Sequence, residues 1–155
     1  MAWFLHFIFS FTASFFFAVL FDAPKRLFFA AGLAGSTGWM VSRILLELVN
    51  MHEIYATMFG SLVLGLMCHL MARLYKEPST IFMVPGIIPF VPGGLAYEAT
   101  RNLVIFEFVE ALNTIFEVIL IAGAVAVGLL FADQLSRMFI HKKRSYSNYR
   151  SRRTL

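Results

Sequence analysis

The chain has little charge and almost no cysteine. Of its 155 residues only 14% are charged while 59% are hydrophobic, and the mean hydropathy is +0.76. A soluble domain averages about 25% charged and about 45–50% apolar residues, so the shortage of charge excludes an ordinary water-soluble fold. It equally excludes a disordered chain, which needs high charge and low hydrophobicity. The single cysteine, Cys68, lies in an apolar run, which rules out an intrachain disulfide and a cysteine-built metal cluster. No G-x-S-x-G, H-E-x-x-H or Walker loop occurs. The sequence therefore carries no recognisable enzyme signature, cannot by itself be an ATP-driven pump, and implies no cofactor and no metal. The long apolar runs do not alternate as the strands of a membrane barrel do.

What remains is length enough for several membrane crossings, at about 20 apolar residues each. The pattern predicts an all-α integral membrane domain over 1–140 with five transmembrane helices, at about 2–21, 27–49, 54–74, 79–106 and 111–140. A basic cytoplasmic tail, 141–155, follows. Asp22-Ala-Pro-Lys-Arg26 ends the first span, Asn50-Met-His-Glu53 separates the second from the third, and Arg73, Lys76, Glu77 and Pro78 close the third. The first span is too long for a signal-peptide core and lacks a basic start and a cleavage site. Lys and Arg concentrate at Lys25-Arg26, at Arg73 and Lys76, and in the tail. Five spans with an outside N-terminus put all three on the cytoplasmic side, as the positive-inside rule asks. With four spans, Lys25-Arg26 and the tail would fall on opposite sides.

The fourth span is interrupted. Pro85, Gly86, Pro89, Pro92, Gly93 and Gly94 fall within ten residues. Proline removes a backbone donor and glycine favours non-helical dihedrals, so a continuous helix is excluded. The expectation is a half-helix, an unwound stretch across Pro85–Gly94, and a second half-helix opening near Gly93. Non-helical backbone at membrane depth survives only when buried in protein or lining a wet cavity. A half-helix N-terminus offers free N–H groups and a positive dipole end to an anion. Gly93 and Gly94 would bare the backbone to a ligand carboxylate, with Tyr97 and Glu98 about one turn on. The plainer reading is a kinked structural helix.

Other signals are weaker. Ala30, Ala31, Gly32, Ala34, Gly35, Ser36 and Gly38 on the second span, and Gly123, Ala124, Ala126 and Gly128 on the last, form faces that let helices approach closely in lipid. Glu117 sits inside Ile115–Ile121, where a carboxyl must be protonated, paired or wet. It is either a proton carrier or a structural hydrogen-bonding group. Glu98 and Asp133 are the other acids of interest, and Glu107 and Glu110 lie near an outside connection. His69 has only Arg73 as a polar neighbour at helical spacing, which suits a packed or partner-bonded histidine better than a metal ligand. The basic tail directly follows a span, so anionic lipid rather than nucleic acid is its nearest polyanion.

Phe82-Met-Val-Pro-Gly-Ile-Ile-Pro-Phe-Val-Pro-Gly-Gly94, followed by Tyr97, resembles the signature of the threonine/serine exporter family, in its short C-terminal-half type. Gly35-Ser-Thr-Gly-Trp39 resembles that family's small-residue and Trp motif, and Glu117 to Gly128 resembles its final span. The resemblance implies a secondary exporter of the bacterial cell membrane driven by the proton gradient. It further implies one half of an inverted-repeat transporter, similar to the small subunit of the split bacterial succinate exporter. A larger membrane subunit of the same family, or a homo-oligomer, would complete the assembly. The substrate would be a small carboxylate-bearing metabolite, threonine or serine first and succinate-like dicarboxylates next. On this reading Pro85, Gly86, Pro89, Pro92, Gly93, Gly94 and Tyr97 bind substrate, and Glu117 and Glu98 couple protons. The rival class is a non-transporting membrane scaffold, supported by the small size and the packing faces.

Overall fold

The computed structural model describes residues 2–151, with side chains for residues 3–138. Six α-helices follow one another among the described residues: α1 (Ala2–Leu20), α2 (Phe28–Glu47), α3 (Glu53–Tyr75), α4 (Thr80–Ile87), α5 (Gly93–Val104) and α6 (Phe108–Ser151). Tighter 3-10 turns occupy Lys25–Leu27 and Ile88–Phe90. The backbone of α6 thus continues through most of the stretch read from the sequence as a basic tail. The side chains of that stretch lie outside the described residues.

Most large apolar side chains of the bundle lie outside, with Leu27, Leu64, Phe82 and Phe90 as buried exceptions. Phe4, Phe9, Phe16, Leu20, Leu74, Leu130 and Met138 are exposed, whereas Ser14, Ser36, Ser61, Ala31 and Ala34 are fully buried. Water would reverse this arrangement; a hydrocarbon solvent supports it, because helix association in lipid relies on close backbone approach rather than on burying bulk. The protein is a membrane protein. Trp3–Leu20, Glu53–Tyr75 and Phe108–Met138 are each long and apolar enough to cross a bilayer, and Thr80–Phe90 with Gly93–Val104 pass together as a fourth, bent by 50°. The fifth expected span, α2, falls short of that apolarity. Its buried face is made of Ala30, Ala31, Gly32, Ala34, Gly35, Ser36, Gly38 and Ser42, which add little hydrophobicity.

Those small residues make α2 the centre of the bundle, against α1, α3 and α4. A Cβ on Gly38 would meet Leu64 Cβ at 2.7 Å and Gly60 O at 3.0 Å, and one on Gly60 would meet Ser42 Cβ at 2.6 Å. A Cβ on Gly35 would run into the Ser14 side chain and lie 3.2 Å from Gly86 Cα. Three helices therefore meet α2 at near-backbone contact. α3 also packs along α6. Ser61 and the Met58 carbonyl fill the space beside Gly128, and Ala132 Cβ lies 2.5 Å from where a Gly65 Cβ would be. This four-residue progression along both helices means that α3 and α6 run parallel.

The helix break is narrower than the sequence suggests. Pro85 and Gly86 lie inside α4, not in an unwound stretch, and both are buried. A Cβ on Gly86 would stand 2.6 Å from Leu64 Cδ1, so packing on α3 holds α4 helical despite the lost proline donor. Pro89 sits early in the following 3-10 turn, where its missing N–H costs nothing. Only Val91 and Pro92 leave the helical path. Pro92 has φ −75° and ψ 58°, and Gly93 N–H donates to Val91 O at 2.7 Å, the geometry of an inverse γ-turn.

Candidate substrate cleft at the helix break

The γ-turn redirects the chain by the observed 50° and exposes the start of α5. A cleft of about 210 Å³ opens there, lined by Pro89–Leu95, by Trp39 of α2, by Glu53 and Thr57 of α3, and by Ile121 of α6. Trp39 stands edge-on to Phe90, ring centroids 5.7 Å apart. The N–H of Gly93 is consumed by the γ-turn, and Ala96 N–H makes the first helical bond, to Pro92 O at 3.0 Å. Gly94 and Leu95 are left with the unpaired donors at the positive end of the α5 dipole. Of the Gly93–Gly94 pair read from the sequence as a carboxylate cradle, only Gly94 therefore keeps a free N–H.

Neither glycine is there for the fold. Nothing lies within 4 Å of a Cβ built on Gly93 or Gly94, and neither has positive φ. Their lack of a side chain serves neither packing nor backbone conformation within this chain. It does keep the wall of the cleft open.

Of the other residues singled out from the sequence, Pro89 and Pro92 line the cleft, whereas Pro85 and Gly86 are spent on helix packing. Tyr97 is 72% exposed and does not line it. Glu98 is exposed on α5. Glu117 is exposed on α6, one turn before the lining residue Ile121, and has no ion-pair partner among the described residues. Sequence reasoning did not place Trp39, Glu53, Thr57 or Ile121 at this site. Their convergence depends on how α2, α3 and α6 pack, and only the Gly35–Trp39 motif marked one of them. Among the described residues no three His, Cys, Asp or Glu side chains come together as metal ligands.

The ThrE threonine/serine exporter family matches residues 6–135, which take in every helix that lines the cleft. The chain belongs to this exporter family. It is 31% identical over 122 residues to an uncharacterized protein of Haemophilus influenzae, an alignment that covers 73% of this chain and 40% of that relative. The match thus leaves more than half of that relative's length uncovered. No solved structure matches it.

Proposed function

We propose that the protein is a subunit of a secondary exporter, driven by the proton-motive force, that carries small carboxylate-bearing metabolites. Threonine and serine are the first candidates and succinate-like dicarboxylates the next. The observation that carries this reading is the pair of glycines, Gly93 and Gly94, that open α5 beside the cleft with no internal reason to be glycine. A substrate carboxylate fits against the free N–H groups of Gly94 and Leu95, where unpaired donors and the helix dipole converge. Glu53, which also lines the cleft, suits the ammonium of an amino acid better than the second carboxylate of succinate, which favours threonine or serine.

In this reading α2 also crosses the membrane, screened from lipid by α1, α3 and α4, and the chain makes five crossings in the bacterial cell membrane. The N-terminus lies outside and the C-terminus in the cytoplasm. Thiol labelling of cysteines placed at Asn50 and Lys76 in a Cys68-free variant tests the orientation: an impermeant reagent should reach the first and not the second. One broken helix per chain and a match that covers only 40% of the relative support a second half, either a larger subunit of the same family or another copy. Glu117 and Glu98 remain the proposed proton-coupling groups near the cleft. The decisive experiment is flux of labelled L-serine and succinate in proteoliposomes, with and without co-purifying chains. Gradient-driven serine efflux is expected; a folded assembly that moves neither compound under any gradient removes the exporter reading in favour of a scaffold.

A further inference from the structure

Away from the cleft, the seam between α3 and α6 ends in a polar cluster that the proposed function leaves unused. His69 Nε2 faces Asp133 Oδ1 at 3.6 Å. Arg137 Nε donates to the other oxygen, Oδ2, at 2.8 Å, and an Arg73 amino group donates to the Ser136 carbonyl at 3.2 Å. The His69 side chain is 17% exposed, and its Nε2 is shielded from solvent with no hydrogen-bond partner. At 3.6 Å the imidazole and carboxylate are poised just beyond hydrogen-bond reach. A cleft of about 190 Å³ lined by Leu66, His69, Leu70, Arg73 and Ser136 opens beside His69.

Among the described residues no other charged group from the packed helices faces His69. α4 has no charged residue, and the two on α2, Arg43 and Glu47, pair with each other at its far end. Arg73 on its own helix and Asp133 and Arg137 on α6 make up its charged surroundings. Histidine is the side chain whose charge changes most readily near neutral pH. Arg137 already holds Asp133 as an acceptor, so the pair has two distinct arrangements. With a proton directed at Asp133, α3 and α6 are tied; without it, a shielded nitrogen faces a carboxylate and the tie is lost.

The position of the pair connects it to the substrate cleft. Thr57 and Ile121 line that cleft, and His69 and Asp133 lie twelve residues further along the same two parallel helices. The two sites are thus separated by about 18 Å of helix on both sides, across a seam locked by Gly65 on Ala132 and Ser61 on Gly128. A change at one end of so closely packed a seam moves the helices as a unit rather than locally.

We infer that His69 and Asp133 form a proton-binding pair whose loading and release switch the α3–α6 seam and so couple proton movement to the substrate cleft. This rests on the exporter reading. The proton comes from water in the His69 cleft when the seam opens and bares Nε2, binds that nitrogen, and leaves from it to water after the seam has shifted.

The test uses the protein purified from its native membranes with the chains that accompany it, reconstituted into pyranine-loaded vesicles. Two rates are read: proton movement that accompanies labelled L-serine or succinate flux, and gradient-free exchange of labelled for unlabelled substrate. His69→Gln and Asp133→Asn are each expected to cut substrate-linked proton movement about tenfold or more while exchange stays within about threefold, and to flatten the pH profile of flux. The swapped variant His69→Asp with Asp133→His should restore it, which separates loss of the pair from loss of folding. Proton movement at the wild-type level in either single variant overturns the inference. So does equal loss of exchange and proton movement with no rescue by the swap, which marks a packing contact. Wild-type exchange without proton movement overturns the coupling role alone; no exchange of either compound by the wild type overturns the exporter reading and the inference with it.

Discussion

The ten glycines divide the molecule into two regions. Gly32, Gly35, Gly38, Gly60, Gly65, Gly86 and Gly128 lie where helices touch, each with another helix's atoms closer than a Cβ allows. Gly93, Gly94 and Gly123 face empty space. One residue type thus does opposite things. Around α2 and along the α3–α6 seam it removes bulk so that backbones meet; at the start of α5 it removes bulk where nothing in this chain needs the room. In a membrane bundle, where lipid competes equally for apolar side chains, the first use explains stability. The second has no explanation in contacts within this chain.

The largest expected effect lies in the packed region. Gly128→Ala directs a methyl at the Met58 carbonyl and within 3.0 Å of Leu62 N, both backbone atoms that cannot swing aside. Alanine gains up to about 1 kcal/mol in helix propensity, but overpacking against backbone costs about 1–3 kcal/mol, so destabilisation wins. The thermal midpoint of the purified protein should fall, and an unchanged or raised midpoint would show that the α3–α6 seam is looser than described.

In the open region the order of effects reverses. Gly94→Val should leave stability within about 0.5 kcal/mol, as for a surface change, yet cut substrate flux by about tenfold or more because bulk now covers the free N–H groups. Its readout is ligand-dependent thermal stabilisation, since a ligand bound only to the folded state raises apparent stability. Serine or succinate stabilising this variant as well as the wild type would return the break to a structural kink.

Glu117→Gln tests the same side of the molecule more gently. Without a partner among the described residues, Glu117 contributes little to the fold, so expression and exchange should persist. If it carries a proton, uphill flux driven by a gradient should disappear. Undiminished uphill flux at normal expression would remove Glu117 from the mechanism and leave coupling to other groups.

The smallest effect is expected at the rim of the packed region. Arg26, before α2, pairs with Glu77 after α3, but Arg26 is 65% exposed. Such pairs are worth about 0.2–1 kcal/mol and weaken with salt. Arg26→Ala should therefore shift the midpoint only slightly and lose even that shift at high ionic strength; a large, salt-insensitive loss would mean that the pair is shielded by another chain or by lipid headgroups.

The amino-acid sequence by itself determined that this is a helical membrane protein and that a proline- and glycine-rich break interrupts it. Those features follow from local quantities: the length of apolar runs, the charge between them, and the density of proline and glycine. Family membership was legible in the Phe82–Gly94 signature, because its spacing survives as a linear pattern. Only the tertiary structure decided which of the prolines and glycines do what. Pro85 and Gly86 look the same in sequence as Pro92 and Gly93, yet contact with Leu64 and Gly35 keeps the first pair helical, while the second turns freely into a cleft. Tertiary structure likewise brought Trp39, Glu53, Thr57 and Ile121 to that cleft and set His69 against Asp133, sixty-four positions away. Sequence reports the period of a helix face but not which neighbour it meets; that choice is made by the shape of small-residue grooves, which are complementary only when the helices are assembled.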